Sequence, residues 1–472
     1  MADTFHQHPS SYRDPAGFIF YKNDILYRQV NHVFKKEFDH FIDSGLYHHL
    51  AQNKLLIHHQ SLNENLTGSA DWYTTLQPEL LPFISYPYEW CFDMLKNAAL
   101  VTLQTAKEAM NFGMMLRDAS AFNIQLLQGK MVFMDSLSFE LYDETKPWIA
   151  YRQFCEHFFA PLALMHYLKE PLQNLFIAYP DGVPLNIAAS MLPFRSKLNL
   201  HTYLHIHFQG SISKKTKIKK QETKPFSKQK MKNLLQSLED GIKSFSFSQS
   251  GTQWSAYYEE AKLRGDYLDL KKQIIYEWLN ALDFNTVFDA GSNEGEFSEL
   301  AANRSNYVVS TDLDHSAITK LYHKVQQESV SNIYPLIMDL SKPSPAIGVN
   351  NKERLSFLER CKVDVTLALA LIHHLALGNN IPFKNIAEMF CNCTRYLIIE
   401  FVPENDEKIM LMTLHKKDLL TGYSQENFLD AFKNYFSVLN TKEIGESGRT
   451  LFLMECIANL KKGENISEMI RF

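Results

Sequence analysis

Asp289, Asp312, Asp339, His373 and Glu400 each fall at or just beyond the end of a short apolar run. Residues 287–298 read as an apolar strand, then the turn Asp289-Ala290-Gly291-Ser292-Asn293-Glu294-Gly295, then the start of a helix. Glycine tolerates backbone angles that bring the chain close to a ligand, and a carboxylate ending the next strand can accept both hydroxyl protons of a ribose. Asp312, followed by Leu313, ends that next run, so the set suits a nucleoside-type ligand. The turn is not the Gly-x-Gly-x-x-Gly of a dinucleotide site, because Asn293 takes the second small position and Glu294 and Glu296 flank Gly295. Acidic groups at a helix N-terminus repel a pyrophosphate and suit a ligand carrying an amino group and a sulfonium. No Gly-Lys-Ser/Thr follows, which excludes a phosphate loop.

The elements that would position these groups are legible in the pattern. Residues 332–338, 363–371 and 395–401 are apolar runs separated by stretches of helical periodicity, as expected of strands buried on both faces of a parallel sheet. Residues 435–439 and 450–457 are β-prone and flank Gly445-Glu446-Ser447-Gly448-Arg449, which predicts a final antiparallel pair with Arg449 in a structural role. Residues 254–282 have helical periodicity and precede the first strand. Ligands of open α/β sheets bind beyond the carboxyl ends of the strands, where all five polar residues would lie.

Residues 251–472 resemble the class I S-adenosylmethionine-dependent methyltransferases, with five motifs in the expected order. The resemblance implies a Rossmann-like seven-stranded α/β domain and S-adenosyl-L-methionine as cofactor. It implies that Asp289, Ala290, Gly291, Asn293 and Gly295 cradle the methionine part, and that Asp312 and Leu313 meet the ribose. Asp339 and Leu340 would face the adenine, and Leu369 and Ala370 would lie near the methionine carboxylate or the adenosine. More narrowly, Ala370-Leu371-Ile372-His373-His374-Leu375-Ala376, Gly378-Asn379-Asn380-Ile381-Pro382 and Ile399-Glu400-Phe401-Val402-Pro403 resemble bacterial nodulation-protein-related methyltransferases. The sequence departs from the family pattern at Glu294 and Glu296, where a small or hydroxyl residue is commoner.

Methyl transfer needs alignment of the two partners and exclusion of water, with a base only where the acceptor must lose a proton. His373 and His374 follow the fourth strand and are the candidate bases, and Glu400 is a candidate acceptor-binding group. A small molecule or glycan is the expected acceptor, from the nodulation-related resemblance alone. A competing reading keeps both folds as a non-catalytic cofactor- or partner-binding scaffold.

The first half carries a second constellation. Leu116-Arg117-Asp118, Asn123 and a hairpin-like stretch, residues 126–135, ending at Asp135 resemble the core of the protein-kinase-like fold, an α+β domain over residues 1–210. The resemblance implies Asp118 as base, with Asn123 and Asp135 as a nucleotide/metal site, and hence a bifunctional kinase/methyltransferase as a further reading. Leu116 replaces the family's His, Ser136-Leu137 replaces Phe-Gly, and no Gly-rich lid is present. Lys22 and Arg28 are the cations considered for phosphate pairing. Upstream, residues 17–21 and 25–30 read as two strands joined at Lys22-Asn23-Asp24, and residues 89–112 as a long helix.

Composition sets the frame. The 472 residues allow two or three domains, and 45% apolar with 21% charged residues is ordinary for a globular chain. A formal charge of −5 gives no general reason to expect nucleic acid. Residues 1–14 lack a signal-type apolar core, and the longest apolar run is cut by His373-His374, so no membrane span is expected. The 6 cysteines are scattered, and Cys391 and Cys393 lack zinc-ligand spacing. Reduced cysteines and a cytoplasmic location are expected. Residues 214–232 carry nine lysines against Glu222, and 211–250 read as a lysine-rich linker that solvates itself or meets an anionic partner. His201, His205 and His207 are read as facing from a strand.

Overall fold

The computed structural model describes residues 5–213, 226–247, 266–413 and 422–457. The chain forms two compact units, Met1–Gln249 with Ile347–Arg354, and Ser250–Ala346 with Leu355–Phe472.

In the first unit, strands β1 (His6–Gln7), β2 (Gly17–Lys22), β3 (Ile25–Asn31), β4 (His59–Leu62) and β5 (Trp72–Pro78) form an antiparallel sheet in the order β1-β2-β3-β5-β4. The expected turn between β2 and β3 forms because Asn23 and Asp24 both accept positive φ, 51° and 61°. The helix Phe92–Asn111 follows, with its apolar positions buried. Next come a small sheet, β6 (Met114–Leu116) with β9 (Phe139–Leu141), and between them in sequence the hairpin β7 (Ile124–Leu127) and β8 (Lys130–Phe133). Ile347–Arg354 completes this unit: Tyr12 and Arg13 both bond Glu353, the latter at 2.8 Å, and the Arg354 guanidinium lies 3.8 Å from the centroid of Phe122.

Three expectations are corrected here. Lys228–Ser244, read as linker, is a helix capped by Ser227 that packs on the long helix through Met231, Leu235, Leu238 and Ile242. Its apolar spacing outweighs the lysines, which occupy the outer face. Residues 214–225 lie outside the described residues. His201, His205 and His207 sit in a helical run over residues 200–213, not a strand, with Asn199 capping the start. Hydroxyls hold all three rings: Ser237 meets His201 and His205, Tyr151 also meets His205, and Ser196 meets His207. Finally, Cys391 and Cys456 form a disulfide, S–S 1.98 Å, so the reduced-cysteine expectation fails for that pair. They lie 65 residues apart in sequence, and sheet formation brings them together. The other four cysteines are buried.

The second unit is a seven-stranded sheet. Its strands are β10 (Thr286–Ala290), β11 (Tyr307–Asp312), β12 (Ile333–Ile337), β13 (Val363–Ala368), β14 (Thr394–Phe401), β15 (Phe436–Glu443) and β16 (Thr450–Cys456), in the order β12-β11-β10-β13-β14-β16-β15. β10 to β14 pair in parallel, and β16 inserts antiparallel between β14 and β15. This is the Rossmann-like seven-stranded α/β fold expected from the resemblance. The chain order reverses between β10 and β13, which places the ligand-binding crevice beyond Ala290 and Ala368. The buried interiors of β10 and β13 pack with Ile275 and Trp278 of the helix Tyr267–Ala281 in one core. Of the helical stretch read over 254–282, residues up to 265 lie outside the described residues.

The turn after β10 depends on Gly295, whose φ is +87° and whose added Cβ would lie 2.4 Å from Leu321 Cδ1. Gly295→Ala should therefore destabilise the protein by about 1–3 kcal/mol, read as a lower unfolding midpoint in urea.

Candidate functional site

The crevice contains a cavity of about 350 Å³. Asp289, Gly291, Ser292, Asn293, Asp312, Leu313, Asp339, Leu340, Leu369, Ala370 and His374 all line it. The turn Gly291–Gly295 is bent by three positive φ values, 78° at Gly291, 49° at Asn293 and 87° at Gly295. Its bend is fixed from the neighbouring strand: the N–H groups of Gly291 and Ser292 both donate to Thr311 O, at 2.9 and 2.8 Å. Asn293 N–H donates to Asp312 Oδ2 at 2.8 Å, and Asp314 N–H to Asp312 Oδ1 at 2.8 Å. The turn and the ribose-type carboxylate are thus one hydrogen-bonded unit.

Both carboxylates are held in water-poor surroundings. Asp289 is buried and accepts a 2.6 Å hydrogen bond from Ser298 Oγ, which in turn accepts from Ser310 Oγ. Burial pushes Asp289 up to about 7, against the Ser298 bond and with help from the Asp312 charge. Burial likewise raises Asp312 to about 6, despite the two backbone N–H donors. Ser292 Oγ and Thr311 Oγ1 are buried without a hydrogen-bond partner among the described residues. Such a wall favours a ligand that brings positive charge and polar hydrogens. Asp339 Oδ1 accepts from the N–H and hydroxyl of Ser341, leaving its carboxylate at the cavity edge. Ala370, between β13 and the next helix, has φ of 51°, an uncommon conformation for alanine that is held beside the cavity.

The two histidines separate. His374 is on the cavity wall and burial lowers it to about 4. His373 is fully buried off that wall, with both ring nitrogens lacking a hydrogen-bond partner among the described residues. Its ring centroid is 4.0 Å from that of His374, and burial holds it well below the usual histidine range.

Glu400 is also off the wall. It is fully buried between Lys271 at 2.6 Å and Arg449 at 3.1 Å, and it accepts from Tyr267 Oη at 2.6 Å. Burial opposes its ionisation, but Lys271 and Arg449 overcome this and hold it at about 2. Arg449 also pairs with Asp406 at 2.9 Å, which fits the structural role expected of it. Glu294 and Glu296 pair with Lys320 and Lys272, and neither lines the cavity. The acidic side chains that border the cavity at this turn are therefore Asp289 and Asp312, not the flanking glutamates.

Sequence reasoning missed Lys271, Phe297, Met338, Asn379 and Met412 on the wall. Lys271 is the one with a usable signal: it sits four residues after Tyr267 on the apolar face of its helix, where a lysine is out of place unless paired. No group of three or more His, Cys, Asp or Glu side chains among the described residues is arranged to hold a metal ion.

The chain is 30% identical over 461 residues to the nodulation protein NoeA of Rhizobium meliloti (strain 1021), covering 94% of this chain and 95% of that protein. It belongs to the NoeA family. No general family model matches. Among solved structures, the N-methyltransferase NodS of Bradyrhizobium japonicum WM9 matches at 9% identity over 41% of this chain and 97% of its own, TM-score 0.30. Magnesium protoporphyrin IX methyltransferase of Synechocystis PCC 6803, with bound SAH, matches at 17% identity over 44% and 90%, TM-score 0.29.

The raised Asp289 group makes a stability prediction for this NoeA-family protein. Between about pH 4 and 7 the folded carboxyl keeps a proton that the unfolded chain has lost, so its contribution to stability falls as pH rises through that window. Asp289→Asn cannot ionise. Its thermal midpoint relative to the unsubstituted protein should rise between pH 5 and pH 8, by an amount on the order of 1–3 kcal/mol in stability.

Proposed function

We propose that the second unit transfers the methyl group of S-adenosylmethionine to an oxygen or nitrogen acceptor, a small molecule or glycan. One observation carries this reading: Asp289, the turn Gly291–Gly295 and Asp312 border a single cavity at the switch point of the sheet. The residues fit that cofactor. Its cationic amino acid part matches two buried carboxylates, and its ribose matches Asp312. Its adenine amino group matches Asp339, with Leu313, Leu340 and Leu369 supplying apolar wall. Lys271 is the one lysine or arginine on the wall among the described residues, suited to the carboxylate of the methionine part.

When bound, S-adenosylmethionine supplies a methyl group already activated on a sulfonium. The chain aligns the acceptor and excludes water, which is the larger part of such catalysis. His374 is neutral at neutral pH and stands on the wall as a hydrogen-bond partner for a hydroxyl acceptor, but burial makes it a weak base, so an acceptor needing little help to lose its proton suits it best. His373 and Glu400 support it from behind, the first by packing on the His374 ring and the second by fixing Lys271. The acceptor class rests on the family's association with nodulation.

A second reading concerns the first unit, and one cluster favours it. Asp118 and Asn123 are hydrogen-bonded, and Ser138 Oγ bridges Asn123 Nδ2 at 3.3 Å to Asp135 Oδ2 at 2.5 Å. Arg28, on β3, pairs with Asp135 at 2.7 Å, whereas Lys22 is engaged at Leu66 O. Burial and the Asp135 charge raise Asp118. This supports a kinase-like unit that takes a nucleotide, with or without phosphoryl transfer.

Calorimetry should record S-adenosylmethionine binding that Asp312→Ala weakens at least about tenfold, the loss of one or more charge-assisted hydrogen bonds. Because the cofactor is cationic, affinity should rise between pH 5 and 8 as both carboxylates ionise, by at most about tenfold per pH unit for each. Absence of binding removes the enzyme reading, and binding without methyl transfer to any fraction of a cell extract favours a scaffold. For the first unit, nucleotide with magnesium should raise the melting temperature and Asp135→Ala should abolish the rise; a flat response leaves that unit without a nucleotide role.

A further inference from the structure

Polar side chains are costly inside a packed sheet unless their hydrogen bonds are met, and two serines bear that cost next to Asp289. Ser310 stands on β11 in register with Asp289 on β10, and Ser298 is on the helix Glu296–Ala302 that follows the turn. Both serines are fully buried, and neither lines the cavity, whereas Asp289 does. Their hydroxyls form a chain. Ser310 Oγ donates to Ser298 Oγ at 2.8 Å, and Ser298 Oγ donates to Asp289 Oδ2 at 2.6 Å.

A hydroxyl carries one proton. Ser298 receives the proton of Ser310, so its own is directed at the carboxylate, and each bond in such a chain polarises the next. A donor aimed at a carboxylate oxygen favours the anion over the acid. The surrounding charges pull both ways. Asp312, at the end of β11, opposes ionisation of Asp289; Lys271, on the helix Tyr267–Ala281, favours it but is already paired with Glu400. β13 places Leu367 in register beside Asp289. Glu296 and Glu299, on the same helix as Ser298, are paired with Lys272 and Lys324. His374 and Asp339 border the same cavity.

We propose that Ser298, aimed by Ser310, is a positioning residue for cofactor binding: its proton holds Asp289 as the anion that meets the cationic amino acid part of S-adenosylmethionine. With S-adenosylmethionine as the ligand of the cavity, on which this assignment rests, two residues off the wall join the binding machinery. The competing role for the two serines is purely structural, docking the helix Glu296–Ala302 on the sheet through the same hydrogen bonds. The roles differ in what they predict for pH. Docking acts at every pH, whereas a donor to the anion acts where the carboxyl is only partly ionised.

Calorimetry of S-adenosylmethionine binding to the full-length chain separates them. Burial pushes the Asp289 carboxyl up to about 7, and losing a hydrogen bond to its charged form should move that titration up by at least about one pH unit. Ser298→Ala should then weaken binding about tenfold at pH 6 but only about twofold at pH 8. Ser310→Ala should act in the same sense and less strongly. An equal loss at both pH values, or no loss from Ser298→Ala, overturns the proposal, and no effect of Ser310→Ala refutes the aiming role of that serine. A second arm needs no cofactor. The difference in urea midpoint between Asp289→Asn and its parent should stop growing at about pH 7 in the unsubstituted background and at about pH 8 with Ser298→Ala; a common end point overturns the proposal. Failure of the unsubstituted chain to bind at either pH removes the cofactor reading itself, whereas binding with losses independent of pH sinks the positioning role alone.

Discussion

The buried pairing of Glu400 with Lys271 and Arg449 is the constraint on which the candidate active site depends. Three charges and the Tyr267 hydroxyl meet out of water, and they come from the helix Tyr267–Ala281, from β14 and from the residue before β16. Removing one member of such a group strands the others without solvent, which is far more damaging than losing a surface pair. Asp406 takes the second face of Arg449, so the cluster holds two acids against two bases. Its effect is geometric: it fixes Lys271 at the cavity wall and ties the helix before the sheet to the far side of the sheet.

Around Asp289 and Asp312 the logic is reversed. Asp289 and Asp312 are buried with hydroxyl and backbone N–H donors as their hydrogen-bond partners, and their ionised forms are correspondingly disfavoured. The cavity is therefore bordered by a cation already paired with Glu400 and by two acids whose charge is held back by burial, with Lys271 near enough to Asp289 to favour its ionised form.

Much of this was legible in the sequence because it was written in local pattern. Apolar runs with a polar residue at their ends located five parallel strands, the run over 363–371 overshooting its strand Val363–Ala368 by three residues, and the turn at Gly291 and Gly295 was carried by residues that tolerate positive φ. What escaped was tertiary. Whether Glu294 and Glu296 point at a ligand or at lysines cannot be read from their neighbours, and Lys320 and Lys272 come from other helices. His373 and His374 are adjacent in sequence, yet only the second reaches the cavity, because successive helical residues face different directions. The helix Lys228–Ser244 was hidden by its lysines, whose charge masked a regular apolar spacing.

The eight residues Ile347–Arg354 order events as the chain is made. They belong to the first unit although both of their flanks belong to the second. Tyr12 and Arg13 leave the ribosome early but must wait for Glu353, and Phe122 must wait for Arg354. The amino-terminal unit is thus completed only after three strands of the other sheet have been synthesised, so neither half is a detachable module that a single cut between them would release intact.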